Sequence, residues 1–320
     1  MFLLLVGVFA WPQRCPAPLI YRPGEGWTYE SVGGAKWERP NAPQQYEVAK
    51  AAFDKKDYSL ARKASRRILR RWPNSDFAPQ ALYLLGRCYE ARRTDDKAFD
   101  EYQRLAEKYP KFENYQEVLR RQFEIADRLL AHRWFRRWGF LPWCHTIEKT
   151  ADMFAKLIRN GPYSDVAPQA QLKIGQAREK QKDYMSAVKA YEKAADLYHD
   201  QPVIAAEGTF KAAQAYLKQA QKAEYDQSAA TQAIETFKGF VVLYPNDPRV
   251  KEAQRVASEL RTEQARGSFL IARFYEQKRQ WSGASIYYSD VVEKDPDSKY
   301  AAVAKQRIEE LNKLAAEQKP

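Results

Sequence analysis

The chain has 320 residues, and its 53 Lys and Arg outnumber 41 Asp and Glu for a formal net charge of +12, which suits an acidic partner or an anionic surface. Its aromatic content of 13% supplies bulk for a continuous core between helices. Three cysteines (Cys15, Cys88, Cys144) are too few and too scattered for a disulfide framework or a zinc site, and their odd number leaves at least one unpaired.

Residues 1–14 form a signal-like apolar segment. Its run from Phe2 to Trp11 has the length of an export signal and is too short to span a bilayer. The basic residues that usually precede such a run are missing. Export is one reading, and a mis-called start ahead of a cytoplasmic protein is the other. Cys15 is the candidate lipidation site, although Gln13-Arg14 before it break the small-residue pattern that a lipoprotein cysteine follows. Residues 15–43 are rich in Pro and Gly with no helical period. Leu19, Ile20, Tyr21, Trp27, Tyr29 and Trp37 nevertheless give this segment aromatics to bury. It is either a tether or an extended strip packed on the first repeats.

From residue 44 to 317 one pattern returns. Residues 75–81 read Ser-Asp-Phe-Ala-Pro-Gln-Ala, and residues 164–170 read Ser-Asp-Val-Ala-Pro-Gln-Ala, with Gly86 and Gly175 eleven residues after the first position of each. Ser75 or Asp76 can cap a helix, and Pro79 sits where a first turn has no partner for its N–H. An alanine, an aromatic four residues on and a proline twelve on occur as Ala98, Tyr102, Pro110, as Ala233, Phe237, Pro245 and as Ala284, Tyr288, Pro296. Ala61 and Pro73 keep this spacing with Ser65 for the aromatic. Ala187 and Tyr191 keep it with His199 for the proline. Apolar residues three and four apart mark one buried face per helix. The unit is a helical hairpin of about 34 residues, the tetratricopeptide pattern. The fold class is therefore all-α, a tetratricopeptide (TPR) α-solenoid of about five to six hairpins. Helices are expected near 44–55, 57–72, 77–92, 95–109, from 115 on, near 147–160, then 166–181, 184–198, 203–220, 227–244, 250–278, 281–293 and 299–317. The last is charged over most of its surface, as a terminal cap should be.

Residues 131–145 interrupt the third repeat with three tryptophans, two phenylalanines and three arginines. Arg133, Trp134, Arg137, Trp138 and Trp143 could meet a membrane interface or dock on a partner. Equally, the insert could fold its rings back on neighbouring helices. No phosphate loop, nucleophile elbow or H-E-x-x-H is present, and His132, His145 and His199 have no metal-ligand spacing. Cys144-His145 is an isolated pair. Neither a catalytic residue, nor a metal site, nor a cofactor is expected. Cys88, beside Tyr89 on a core-facing helix, reads as an inert thiol.

Recognition remains. The first helices of stacked hairpins line the surface on which partners bind. In the second repeat the open side would show Gln80, Tyr83, Arg87 and Glu90, and in the fourth Gln169, Leu172, Gln176 and Glu179. Tyr83 and Arg87 are anchors by residue type. The helix at 58–71 carries Arg62, Lys63, Arg66, Arg67, Arg70 and Arg71, a basic stripe for anionic headgroups or an acidic protein, or a solvated face. Nucleic acid is not an expected partner, since an exported chain would not meet it.

With the repeats in place, the chain resembles the BamD family of outer-membrane assembly lipoproteins over roughly residues 43–317. The likeness is carried by Tyr58 to Pro110, by Tyr244-Pro245-Asn246-Asp247-Pro248 and the long helix with Leu260-Arg261 and Ala272-Arg273-Phe274-Tyr275, and by Lys278 to Ala284 and Asp295 to Ser298. It implies a non-catalytic periplasmic scaffold, anchored or peripheral at the outer membrane. That scaffold would hold a BamA-like barrel protein with POTRA domains through its C-terminal repeats, Arg273 among them, and receive unfolded outer membrane proteins on its N-terminal ones. A TPR adaptor for another envelope or cell-division complex, and a peripheral membrane-binding protein, are the competing readings.

Overall fold

The computed structural model describes residues 19–22, 26–29, 37–131, 145–222 and 227–317. Two short strands come first. β1 (Leu19–Arg22) and β2 (Gly26–Tyr29) pair antiparallel, with Leu19 opposite Tyr29 and Arg22 opposite Gly26. Thirteen helices succeed them among the described residues. They are α1 (Ala42–Asp54), α2 (Tyr58–Arg71), α3 (Phe77–Ala91), α4 (Asp95–Lys108), α5 (Tyr115–Ala131), α6 (His145–Asn160) and α7 (Ala167–Lys180). Then come α8 (Tyr184–Leu197), α9 (Pro202–Lys222), α10 (Gln227–Leu243), α11 (Val250–Gln277), α12 (Trp281–Lys294) and α13 (Lys299–Glu317). This is the all-α TPR array read from the repeats, preceded by a small ribbon. The helices gather into two compact units, one up to Ile125 and one from Ala126 on, divided within α5.

Local chemistry sets the helix ends. Asn41 accepts from the Gln44 N–H at 3.0 Å with Pro43 in the first turn of α1. Asp57 accepts from Leu60 N–H at 3.0 Å, and Asp183 from Ser186 N–H at 3.2 Å. At α3 the capping falls to Ser75, whose hydroxyl accepts from Phe77 N–H at 3.2 Å, while Asp76 makes no cap bond. Each of these satisfies one orphan donor.

The turn inside the hairpins is the same four times. Lys56, Arg93, Lys182 and Arg279 have φ of 61°, 55°, 61° and 58°. The residue after each donates its N–H back five residues: Asp57 to Ala52, Thr94 to Tyr89, Asp183 to Arg178 and Gln280 to Tyr275, at 2.8–3.1 Å. A left-handed residue with a bond of this span is the Schellman ending. Here a basic residue takes the place that glycine usually fills.

Packing follows the repeat. In the first unit, α1–α2, α2–α3 and α3–α4 are in contact, and α1 also touches α3. Its core holds Trp72 and Ile68 with Ala42 and Ala81, then Ala49, Ala64 and Leu84, then Ala52, Ala61 and Cys88. Trp37 packs on the middle of these clusters, so this part of the 15–43 segment lies against the first repeat, whereas Tyr21 is exposed. Burial pushes the Cys88 thiol up to about 12, which keeps it protonated and unreactive. In the second unit each helix from α6 to α13 touches the next, and α7–α9 and α11–α13 pair across a hairpin.

Tyr102 and Tyr191 are fully buried at the centres of their hairpins. A methyl added at Gly86 would fall into the Tyr102 ring, and one at Gly175 into the Tyr191 ring. The small residue is thus what lets the paired helices close on the tyrosine. α11 serves two cores. Its Ala253 and Ala257 join Phe210, Phe237 and Phe240, and its Ala265 and Ala272 join Tyr288, Val291 and Leu311.

Candidate functional site

The first helices of the hairpins carry a repeated polar device. Tyr102 Oη donates to Glu90 Oε2 at 3.0 Å, Tyr191 Oη to Glu179 Oε2 at 2.8 Å and Tyr288 Oη to Glu276 Oε2 at 2.6 Å. Each glutamate also meets a cation from the next first helix. Arg121 reaches Glu90 at 3.2 Å, Lys218 pairs with Glu179, and Arg307 pairs with Glu276. A buried phenol, a half-buried carboxylate and a cation therefore recur as a triad. Burial and the adjacent carboxylate raise Tyr102 and Tyr191 well above the usual phenol, and lift Tyr288 to about 12.

In the first unit this device absorbs three residues of the expected open row, the anchors Tyr83 and Arg87 among them. Tyr83 Oη donates to Glu117 Oε1 at 2.6 Å and accepts from Arg87 Nη1 at 3.3 Å and from Arg121 Nε at 3.2 Å. Arg121 also grips Glu117 at 2.8 Å. The Arg87 guanidinium lies 5.5 Å from the Phe53 ring centre. Tyr83, Arg87 and Glu90 are consequently half-buried in one network joined through Arg121, not a free row, because α5 brings Glu117 and Arg121 against them. Gln80 is half-buried too. The hydrogen bond from Tyr83 holds the Glu117 carboxyl below its ordinary value.

The second unit is open where the first is closed. A groove of about 570 Å³ runs between α7 and α9. Gln169, Leu172, Gln176 and Glu179 of α7 all line it, facing Glu207, Lys211 and Lys218 of α9. Gln169 and Gln176 are exposed. Four lysines border the groove, counting Lys173 and Lys180. Lys173 pairs with Asp127 at 2.5 Å, and Lys180 donates to the Leu130 carbonyl at 2.5 Å. Glu207 is held by Arg249, which packs 4.7 Å over the Phe210 ring. Two carboxamides seven residues apart on one helix stand about 10.5 Å apart along its axis, the length of roughly three residues of extended chain. Each can donate to and accept from a peptide backbone at once. The arrangement fits an extended polypeptide with an acidic character.

Arg273 is exposed on α11 beside Phe274, 56% exposed, and away from this groove. Cys15, Arg133, Trp134, Arg137, Trp138 and Trp143 lie outside the described residues. The basic stripe is divided: Arg62 stacks on the Tyr89 ring and Arg66 donates to its hydroxyl, while Arg67 pairs with Glu38 at 2.9 Å. Among the described residues no set of three His, Cys, Asp or Glu could hold a metal ion, and no helix is long and apolar enough to cross a membrane.

Sequence comparison matches residues 145–294 to the family YfiO, outer membrane lipoprotein, and residues 46–111 to a tetratricopeptide repeat family. Comparison with curated proteins gives no significant match. Among solved structures the chain is similar to the C-terminal part of a TPR repeat-containing protein from Cytophaga hutchinsonii, at 17% identity and a TM-score of 0.39, covering 82% of this chain and 87% of that one. It is also similar to a tetratricopeptide repeat protein from Parabacteroides merdae (13% identity, TM-score 0.35, 84% and 98% covered) and to MamA protein (15%, 0.36, 66% and 94%). The chain's own paired helices and the two family matches make it a tetratricopeptide α-solenoid whose residues 145–294 are similar to the outer membrane lipoprotein family.

Proposed function

We propose that this chain is a non-catalytic scaffold of the BamD type, exported to the periplasmic face of the outer membrane, where it assists β-barrel assembly. The observation that carries the reading is the α7–α9 groove, whose open Gln169 and Gln176 sit between lysines. An unfolded barrel segment offers what this groove can hold, an extended backbone with unpaired N–H and C=O groups, which moves the substrate contact from the N-terminal repeats, where the family resemblance would put it, to α7 and α9. The match of residues 145–294 to an outer membrane lipoprotein family supports the envelope location. In this reading Arg273 and the exposed Phe274 on α11 face a BamA-like barrel protein with POTRA domains. Arg133, Trp134, Arg137, Trp138 and Trp143 supply a membrane or partner contact, and Cys15 is the residue an anchor would use.

The test has two arms. Purification of the tagged full chain from mildly solubilised membranes should bring a POTRA-bearing barrel protein in near-equal amount. Recovery with a different envelope complex, or alone in the cytosol, would overturn the assembly role. Titration with peptides from barrel strands should show Gln169→Ala/Gln176→Ala weakening binding about tenfold, since two backbone-directed bonds are lost. Unchanged affinity would remove the groove from the mechanism.

A further inference from the structure

On the second-helix side of the first unit lies a cavity of about 580 Å³, within the range that holds small ligands. Lys63, Arg66 and Arg70 enter it from one side of α2, at spacings of three and four residues, and Arg104 enters from α4. One carboxylate answers these four cations: Glu101, which is committed to Arg104 at 2.5 Å. Lys63 and Arg70 are exposed and have no ion pair or hydrogen bond among the described residues. Arg66 is steadied by the Tyr89 hydroxyl, which is neutral and leaves its charge uncompensated. The remaining wall is apolar, made by Leu69, Leu85 and the half-buried Trp37.

We infer that this cavity binds the phosphate of an anionic phospholipid. Three uncompensated cations concentrate negative charge at the mouth, and Arg forks match phosphate oxygens in pairs. Leucine, leucine and indole beside them suit the glycerol and upper acyl region, a position tryptophan favours at membrane interfaces. A peptide ligand is disfavoured because no Asn or Gln borders the cavity to meet a backbone, in contrast to the α7–α9 groove. Its cations stand on the second helices α2 and α4, and the first helix α3 contributes only the buried Leu85. The inference goes beyond the scaffold reading and does not depend on it.

The experiment is sedimentation of the full chain with phosphatidylcholine vesicles, with and without phosphatidylglycerol, alongside calorimetric titration with inorganic phosphate. Wild type should bind only the phosphatidylglycerol vesicles. Lys63→Gln/Arg70→Gln should weaken that binding tenfold or more, with the helical circular-dichroism signal intact because both side chains are exposed and unpaired. The charge-matched control Lys193→Gln/Lys251→Gln, at two exposed lysines of the second unit, should change it less than twofold. Equal losses in both pairs would overturn a specific site. Phosphate binding lost in the Lys63/Arg70 pair without any vesicle binding would overturn the lipid source and leave a soluble phosphate ligand. Loss of binding to polyglutamate in place of vesicles would overturn it in favour of an acidic protein.

Discussion

A carboxylate half-removed from water on a helix face costs free energy unless its lone pairs are met. Glu90, Glu179 and Glu276 are each met twice, by a buried tyrosine of the same hairpin and by a cation of the next. Tyr191→Phe should therefore cost about 1.5–3 kcal/mol, the worth of a hydrogen bond to a charged group, measured by urea unfolding of the full chain. A cost below about 0.5 kcal/mol would show that Lys218 alone holds Glu179. Gly175→Ala should cost about 1–3 kcal/mol by forcing a methyl into the Tyr191 ring. The aromatic of each triad was legible in the sequence, because the alanine–aromatic–proline spacing is apolar and periodic. The glutamate was not, because a search for hydrophobic period treats charge as surface. The signal was nonetheless present, since a glutamate stands twelve residues before Tyr102, Tyr191 and Tyr288. Where Ser65 replaces the tyrosine, Phe53 stands at the same offset, so both members are lost together.

Among the elements, the repeated turn stores strain. A side chain in the left-handed region costs about 1–2 kcal/mol, and four basic residues bear it. Lys182→Gly should stabilise the chain by about 0.5–1 kcal/mol, relief of that cost less the glycine's larger unfolded entropy. A chemical-denaturation midpoint that falls would show that the lysine makes a compensating contact. Helix ends were read within about three residues, because proline and Asp caps mark them locally. The ribbon was missed: Leu19-Ile20-Tyr21 and Trp27-Thr28-Tyr29 are strand-forming residues about Pro23-Gly24, a hairpin signal hidden among many turn formers. The 28 residues of α11 were legible because an apolar period runs through them with no proline and a single tolerated glycine, Gly267, although one helix there completes one core and opens the next.

At the scale of the molecule, ionisation sets the limits of stability. Tyr102, Tyr191 and Tyr288 release their protons in the unfolded chain near 10 and only at higher pH when folded. The folded state then binds more protons, so the tyrosines' contribution to stability is whole below pH 10 and is lost as pH rises through their raised values. Replacing all three with Phe should flatten that alkaline decline in denaturation midpoints measured from pH 8 to about 11, beneath a lower baseline. A decline of equal slope would assign it to lysine deprotonation. Glu117 and Asp247, held low by hydrogen bonds from Tyr83 and Arg249, act in the opposite sense. Their stabilisation is present above the ordinary carboxylate values and is lost as pH falls through the lowered ones. The division at Ile125 and Ala126 was not legible, because repeat spacing reports each hairpin's own packing and nothing beyond it. For the same reason the fourth repeat's row stands open at Gln169 and Gln176, while the second repeat's row, of identical spacing, is closed by Glu117 and Arg121.

The triad also bears on ancestry. Each such hairpin offers a carboxylate forward and is met by a cation carried 31 residues later in two cases and 39 in the third. An artificial chain with α7 and α8 copied in tandem would keep the second copy's seam, where Glu179 meets Lys218 of α9. The first copy's Glu179 would instead meet a second α7, whose Lys173 and Lys180 serve Asp127 and the Leu130 carbonyl, so lengthening the array at this point calls for a new cation at the joint.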